Sequence, residues 1–63
     1  MNKEYMVVIY DLINEYEEYE YFTNEEESIE YAKSAKDDNN ITSVFLIEWN
    51  NDIETKNIIW ESE

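Results

Sequence analysis

The sequence predicts a small α+β domain, ββαββ in order, with an antiparallel-rich sheet and one helix on one face. Three observations carry this. Residues 4–12 (EYMVVIYDL) and 41–49 (ITSVFLIEW) are dense in β-branched and aromatic residues and too short for buried helices, so they read as strands. Between them, Ile29, Ala32 and either Ala35 or Lys36 recur at the three- and four-residue spacing of a helix. Asparagine-rich clusters, DDNN at 37–40 and NND at 50–52, punctuate a chain that has no glycine and no proline.

Strand one is the 4–12 stretch. Strand two is EYEEYEYF, residues 15–22; the tyrosines at 16 and 19 also fit a helical spacing, and its aromatic content favours the strand. Ile13-Asn14-Glu15 closes the hairpin between them, with Asn14 expected to take the positive φ that glycine would otherwise supply. Thr23 is expected to open the helix. TNEE has the form of a capping box, in which the Thr23 hydroxyl accepts from the backbone of Glu26 and Glu26 reaches back. Glu25, Glu26 and Glu27 then sit at the positive end of the helix dipole, and Lys33 and Lys36 near the negative end. DDNN ends the helix, with asparagine expected in the left-handed C-cap conformation. Strand three is 41–49, NND is a turn, and the last strand includes NIIW. A β-grasp arrangement and a plain antiparallel sheet crossed by one helix both fit this order.

Alternation along the strands sets Met6, Val8 and Tyr10 opposite Val7 and Ile9, and Val44 and Leu46 opposite Phe45 and Ile47. Two strands are thus apolar on both faces, and one thin helix covers one of them. The other face, with Trp49 or Trp60 near it, calls for a partner. The expected partner is a second copy of the chain, making a homodimer.

Composition narrows the chemistry. A chain of 63 residues is one domain with a marginal core. It has no cysteine and no histidine, which removes disulfides, thiolate nucleophiles and Cys/His metal sites. The N-terminal residues do not read as a leader and no apolar run is long enough for a membrane span, so a cytoplasmic location is expected. Paired carboxylates could serve as acid and base, but only in a cleft that drives their pKa values apart, and one thin helix leaves little room for one; the chain reads as a non-enzyme. DDNN and NNDIE are rich in oxygen ligands yet lack calcium-loop spacing and its glycine, so neither a metal nor a cofactor is expected.

The charge is the loudest feature. Seventeen acidic residues against four lysines give a net −13. A magnitude of about 2 to 8 suffices to keep a small domain soluble, and charge beyond that destabilises the compact state by self-repulsion. The sign excludes nucleic acid and anionic membrane as direct ligands and points to a basic partner. NEYEEYEYF, residues 14–22, is the densest part. As an ordinary half-buried strand it would turn tyrosines inward and glutamates to water. That reading leaves the excess unexplained, because NEEESIE and DDNN continue it across the helix. Carboxylates two apart on a strand stand about 6.6 Å from one another, and those on a helix face about 5 to 6 Å, so a folded scaffold fixes them as a grid.

In this character the chain resembles the small acidic DNA-mimic inhibitors that bacteriophages make against host DNA-binding proteins, such as histone-like nucleoid proteins, restriction enzymes, uracil-DNA glycosylase and CRISPR nucleases. The resemblance rests on NEYEEYEYF, NEEESIE and DDNN. It implies a protein in the host cytoplasm that occupies the nucleic-acid groove of a basic host protein, and a dimeric inhibitor suits the dimeric saddle of a histone-like nucleoid protein. Contact is expected from Glu15, Glu17, Glu18, Glu20, Glu25, Glu26, Glu27, Glu30, Asp37 and Asp38, with Tyr16, Tyr19 and Tyr21 adding flat area on which arginine stacks. The alternative is an interaction module that docks an apolar sheet face or edge, through Val8, Leu46 or Trp60, on a partner that does not bind nucleic acid.

Overall fold

A computed structural model describes residues 3–62. Among these residues the elements follow in the order β1 (Lys3–Asp11), β2 (Tyr16–Phe22), α1 (Glu25–Ala35), β3 (Asn40–Asn50) and β4 (Ile53–Glu61), an α+β chain of ββαββ type. The strands form one sheet ordered β2-β1-β3-β4, and every pairing is antiparallel. Of the two architectures compatible with the sequence, the plain antiparallel sheet crossed by a helix is the one present. β2 and β3 both run opposite to β1, which lies between them. Their connection therefore has to cross β1, and α1 does so, packing back against β1 and β3.

Val7 and Val44 lie directly opposite each other and are fully buried beneath Ala32, with Ile9, Phe22, Ile29, Ile59 and Trp60 packed around them. The helix thus covers the face that bears Val7, Ile9, Val44 and Leu46. Its inner stripe is made of small side chains: Ser28 and Ala32 are fully buried, and the Ser28 hydroxyl donates to the Glu25 carbonyl at 2.7 Å. Small residues let the helix lie close to the sheet. Phe22 and Tyr31 close the β2 side, their ring centroids 5.3 Å apart.

The last strand breaks the simple alternation. Val44 faces Trp60 and Phe45 faces Ile58, so Ile59 is an extra residue, a β-bulge. The bulge turns Trp60 to the helix side, although a strict period of two would keep it on the face of Ile58. Beyond it, Ser62 continues the pairing: its backbone N–H donates to the Thr42 carbonyl at 2.8 Å and its hydroxyl accepts from the Thr42 N–H at 2.9 Å.

Three local expectations are corrected. The hairpin carries its positive φ at Glu15 (56°), not Asn14, because Asp11 takes both preceding amides: Oδ1 accepts from the N–H of Ile13 at 2.9 Å and of Asn14 at 3.0 Å. This holds Asn14 inside the loop, and Glu15 makes the reversal with its N–H on the Asp11 carbonyl at 2.8 Å. The helix N-cap is Asn24, not Thr23; its side chain accepts from the Glu27 N–H at 3.0 Å. At the other end no left-handed residue appears among the described positions of DDNN. Lys36 leaves the helix extended (φ −62°, ψ 136°), and Asn40 caps through its side chain, donating to the Ala35 carbonyl at 2.9 Å while accepting from the Asp37 N–H at 3.0 Å. Asparagine ends the helix as expected, by side-chain hydrogen bonding rather than by φ. The NND turn holds as read, with Asn51 (53°) and Asp52 (66°) both at positive φ, as a two-residue I′ hairpin requires.

Candidate functional site

Residues directly opposite in a sheet share a face, so the register sorts the acids of β2. Glu20 lies opposite Val7 and Glu18 opposite Ile9, which places both on the helix side. Glu17 lies opposite Tyr10 and shares the helix-free face with Tyr19 and Tyr21. The helix adds Glu25, Glu26, Glu27 and Glu30, and the loop after it adds Asp37 and Asp38. Glu15 sits in the hairpin loop. All ten carboxylates expected to meet a partner are exposed.

The structure therefore divides that set. Eight belong to the helix side, while Glu17 faces the other way and Glu15 stands at the end of the sheet. The helix side is the acidic side of the molecule. Lys3, Lys33 and Lys36 share this side with the acids, and among the described residues one ion pair forms, Lys3 Nζ to Glu48 Oε2 at 3.9 Å, at partly exposed positions where such pairs contribute little. The tyrosines do not turn into the core. Tyr16, on the helix side at the edge, and Tyr19 and Tyr21, on the helix-free face, are all exposed.

A groove of about 270 Å³ opens where β1 ends, β2 begins and the helix has just stopped. Asp11, Glu18 and Asp37 line it from three different elements, together with Asn14, Asn39 and Asn40. The loop that floors it is tied down, since the Leu12 N–H donates to the Asn39 carbonyl at 2.8 Å. Asp11 was not among the residues expected from sequence. Hydrogen bonds from Asn14, first from its backbone and then from its side chain at 3.0 Å, hold the Asp11 carboxyl below its usual 3.8 and keep it charged. An aspartate closing a strand just before a glycine-free loop was the available signal, as such residues cap the turn that follows. Among the described residues no three carboxylates are grouped so as to hold a metal ion, and no helix is long and apolar enough to cross a membrane.

What this arrangement can do is attract and hold fixed cations. It presents rigidly mounted carboxylates on a strand and a helix side by side, with a small acidic groove at one end. Comparison of the chain with protein families, curated proteins and solved structures finds no match.

Proposed function

We propose that the protein is a DNA mimic that inhibits a basic host protein by occupying its nucleic-acid groove. The observation that carries this reading is the concentration of exposed carboxylates on the helix side that form no ion pair among the described residues: Glu18 and Glu20 on β2 beside the helix acids, with Asp37 at the groove. Proteins that grip DNA offer rows of lysine and arginine shaped to a line of phosphates, and most of that affinity is electrostatic and independent of sequence. Carboxylates fixed at comparable spacing compete for the same row. The acidic groove suits an arginine or lysine side chain of the target, and Tyr16 at its edge offers a ring on which a guanidinium stacks. A histone-like nucleoid protein is the favoured target, with restriction, repair and CRISPR enzymes in the same chemical class.

The test is competition. A purified histone-like nucleoid protein is loaded with fluorescent duplex and titrated with this chain. Displacement of the duplex is expected, with inhibitor affinity falling steeply, by orders of magnitude, between about 50 and 200 mM salt. If neither this target nor a DNA-binding enzyme of the named classes releases duplex, or if binding ignores salt, the reading fails.

A further inference from the structure

Among the described residues no element covers the face of the sheet opposite the helix, and its middle is apolar. Met6 and Ile47 on it are already buried, but the large side chains that share the face are half in water: Tyr19 is 50% exposed, Tyr21 57%, Trp49 46% and Ile58 51%. A half-exposed large side chain shows on the order of 100 Å², so these four with Ile41 and Phe45 form a patch of roughly 500 Å², near the upper end of what monomers carry. We propose that two copies of this chain pack here sheet against sheet, with both helices on the outside. This rests on the apolar face alone and is independent of the DNA-mimic reading.

Area supports a second copy. Four strands of seven to eleven residues, at about 3.3 Å per residue and about 4.8 Å apart, make a face of roughly 600 Å² per partner, the lower end of standard stable interfaces. The pattern of charge supports it as well. The charges on this face stand around an apolar row: Glu17 on the outer strand β2, Glu54, Lys56 and Glu61 on the outer strand β4, and Glu4 near the start of β1, opposite Ile47. Inside them Tyr21, Met6, Phe45 and Ile58 lie side by side across all four strands, with Tyr19 and Val8 next to them. An apolar centre within a polar rim is the anatomy of a protein interface. Stacking sheet on sheet also sends the two acid-rich helix layers to opposite sides, with the roughly 10 Å sheet spacing already about one Debye length at 0.1 M salt. A basic partner, by contrast, is drawn by the field to the helix side, and an anionic membrane is repelled.

Salt separates this interface from the acidic one. Two copies of net charge −13 repel, so screening strengthens their association, whereas a complex with a basic groove weakens. Sedimentation equilibrium of the full chain, up to about 200 µM and across about 50 to 500 mM NaCl, is expected to give twice the monomer mass, with the dissociation constant falling several-fold as salt rises. Trp49 emission shifts to the blue as dimer forms. Phe45→Glu is expected to weaken association at least about tenfold, by burying an unpaired charge. Ile58→Glu, at a half-exposed site that a folded monomer tolerates, serves the same purpose should Phe45→Glu fail to fold, while Glu20→Gln on the helix side leaves the dimer intact. A monomer at the highest concentration in high salt overturns the proposal, as does a dimer indifferent to folded Phe45→Glu or Ile58→Glu, or one that salt dissociates.

Discussion

The Tyr19 hydroxyl donates to Glu17 Oε1 at 2.6 Å, from one residue to its neighbour on the same face of β2. Tyr16 does the same to Glu18 Oε2 at 3.1 Å on the other face. Each side of this edge strand therefore carries a phenol clamped to a carboxylate. The clamps order long side chains that water would otherwise leave free, on the most highly charged strand of the sheet.

Both phenols are held above their usual 10.0, first by the hydrogen bond to the carboxylate, which favours the protonated phenol, and further by that carboxylate's charge. An absorbance titration is expected to show Tyr16 and Tyr19 ionising late, and Glu17→Ala is expected to bring Tyr19 back towards 10.0. The sign for stability follows from a raised folded value. The contribution is complete below pH 10 and is lost as pH climbs through the raised value, so the melting curves of wild type and Glu17→Ala converge only in strong alkali. Coincident tyrosine titrations in the two proteins would remove the clamp.

The division of acids between two faces makes charge reversal informative. Glu18→Lys with Glu20→Lys alters the helix side and is expected to weaken the complex with a DNA-binding target at least about tenfold near 0.1 M salt, lowering the salt slope by about one for each carboxylate that no longer meets a cation. Glu17→Lys, on the opposite face, is expected to change the affinity far less. Equal losses from both faces would mean that no single acidic side meets the target.

The helix start offers a sharper comparison. Asn24→Ala removes the acceptor for the Glu27 N–H and is expected to cost about 1 kcal/mol, while Thr23→Ala, one residue outside the cap, is expected to cost little. For a domain of this size, whose core supplies only about 3 to 5 kcal/mol, the Asn24 loss is visible as a lower urea midpoint with unchanged slope.

That one-residue shift marks the limit of what the sequence could reveal. Thr23 and Asn24 are both good N-caps, and both TNEE and NEEE place glutamate three residues on, so local chemistry does not choose between them. The strands were legible because β1 and β3 are apolar on both sides; for the same reason the face under the helix was not. Val7 and Met6 look alike in sequence, and the choice falls to packing, in which Ser28 and Ala32 approach Val7 and Val44. Serine on the inner side of the helix gives no apolar signal at all. The alternative docking residues divide accordingly: Val8 stands on the helix-free face, but Leu46 and Trp60 belong to the helix side, Trp60 because of a bulge that no periodicity announces. The acids were legible as a surplus, and only the register separates Glu17 from Glu18 and Glu20.

Asp11 connects the hairpin to the acidic groove, and its pH dependence tests whether that corner is built as described. One carboxylate takes the amides of Ile13 and Asn14 and the Asn14 side chain, and these bonds lower its pKa from 3.8. A lowered folded value means that the stabilisation is present above the unfolded value and is lost as pH falls through the folded one. Asp11→Ala is therefore expected to melt below wild type at neutral pH, and the gap is expected to close as pH drops below about 4. The same substitution frees Asn14 and relaxes the positive φ at Glu15, so amide exchange at Ile13, Asn14 and Glu15 rises together while exchange along the paired β3 and β4 is unchanged. Glutamate at position 11, longer by one methylene, preserves the charge but not the reach to both amides, and its melting should resemble the alanine protein. If instead glutamate restores full stability, charge at the groove matters and the hydrogen bonds to the loop do not.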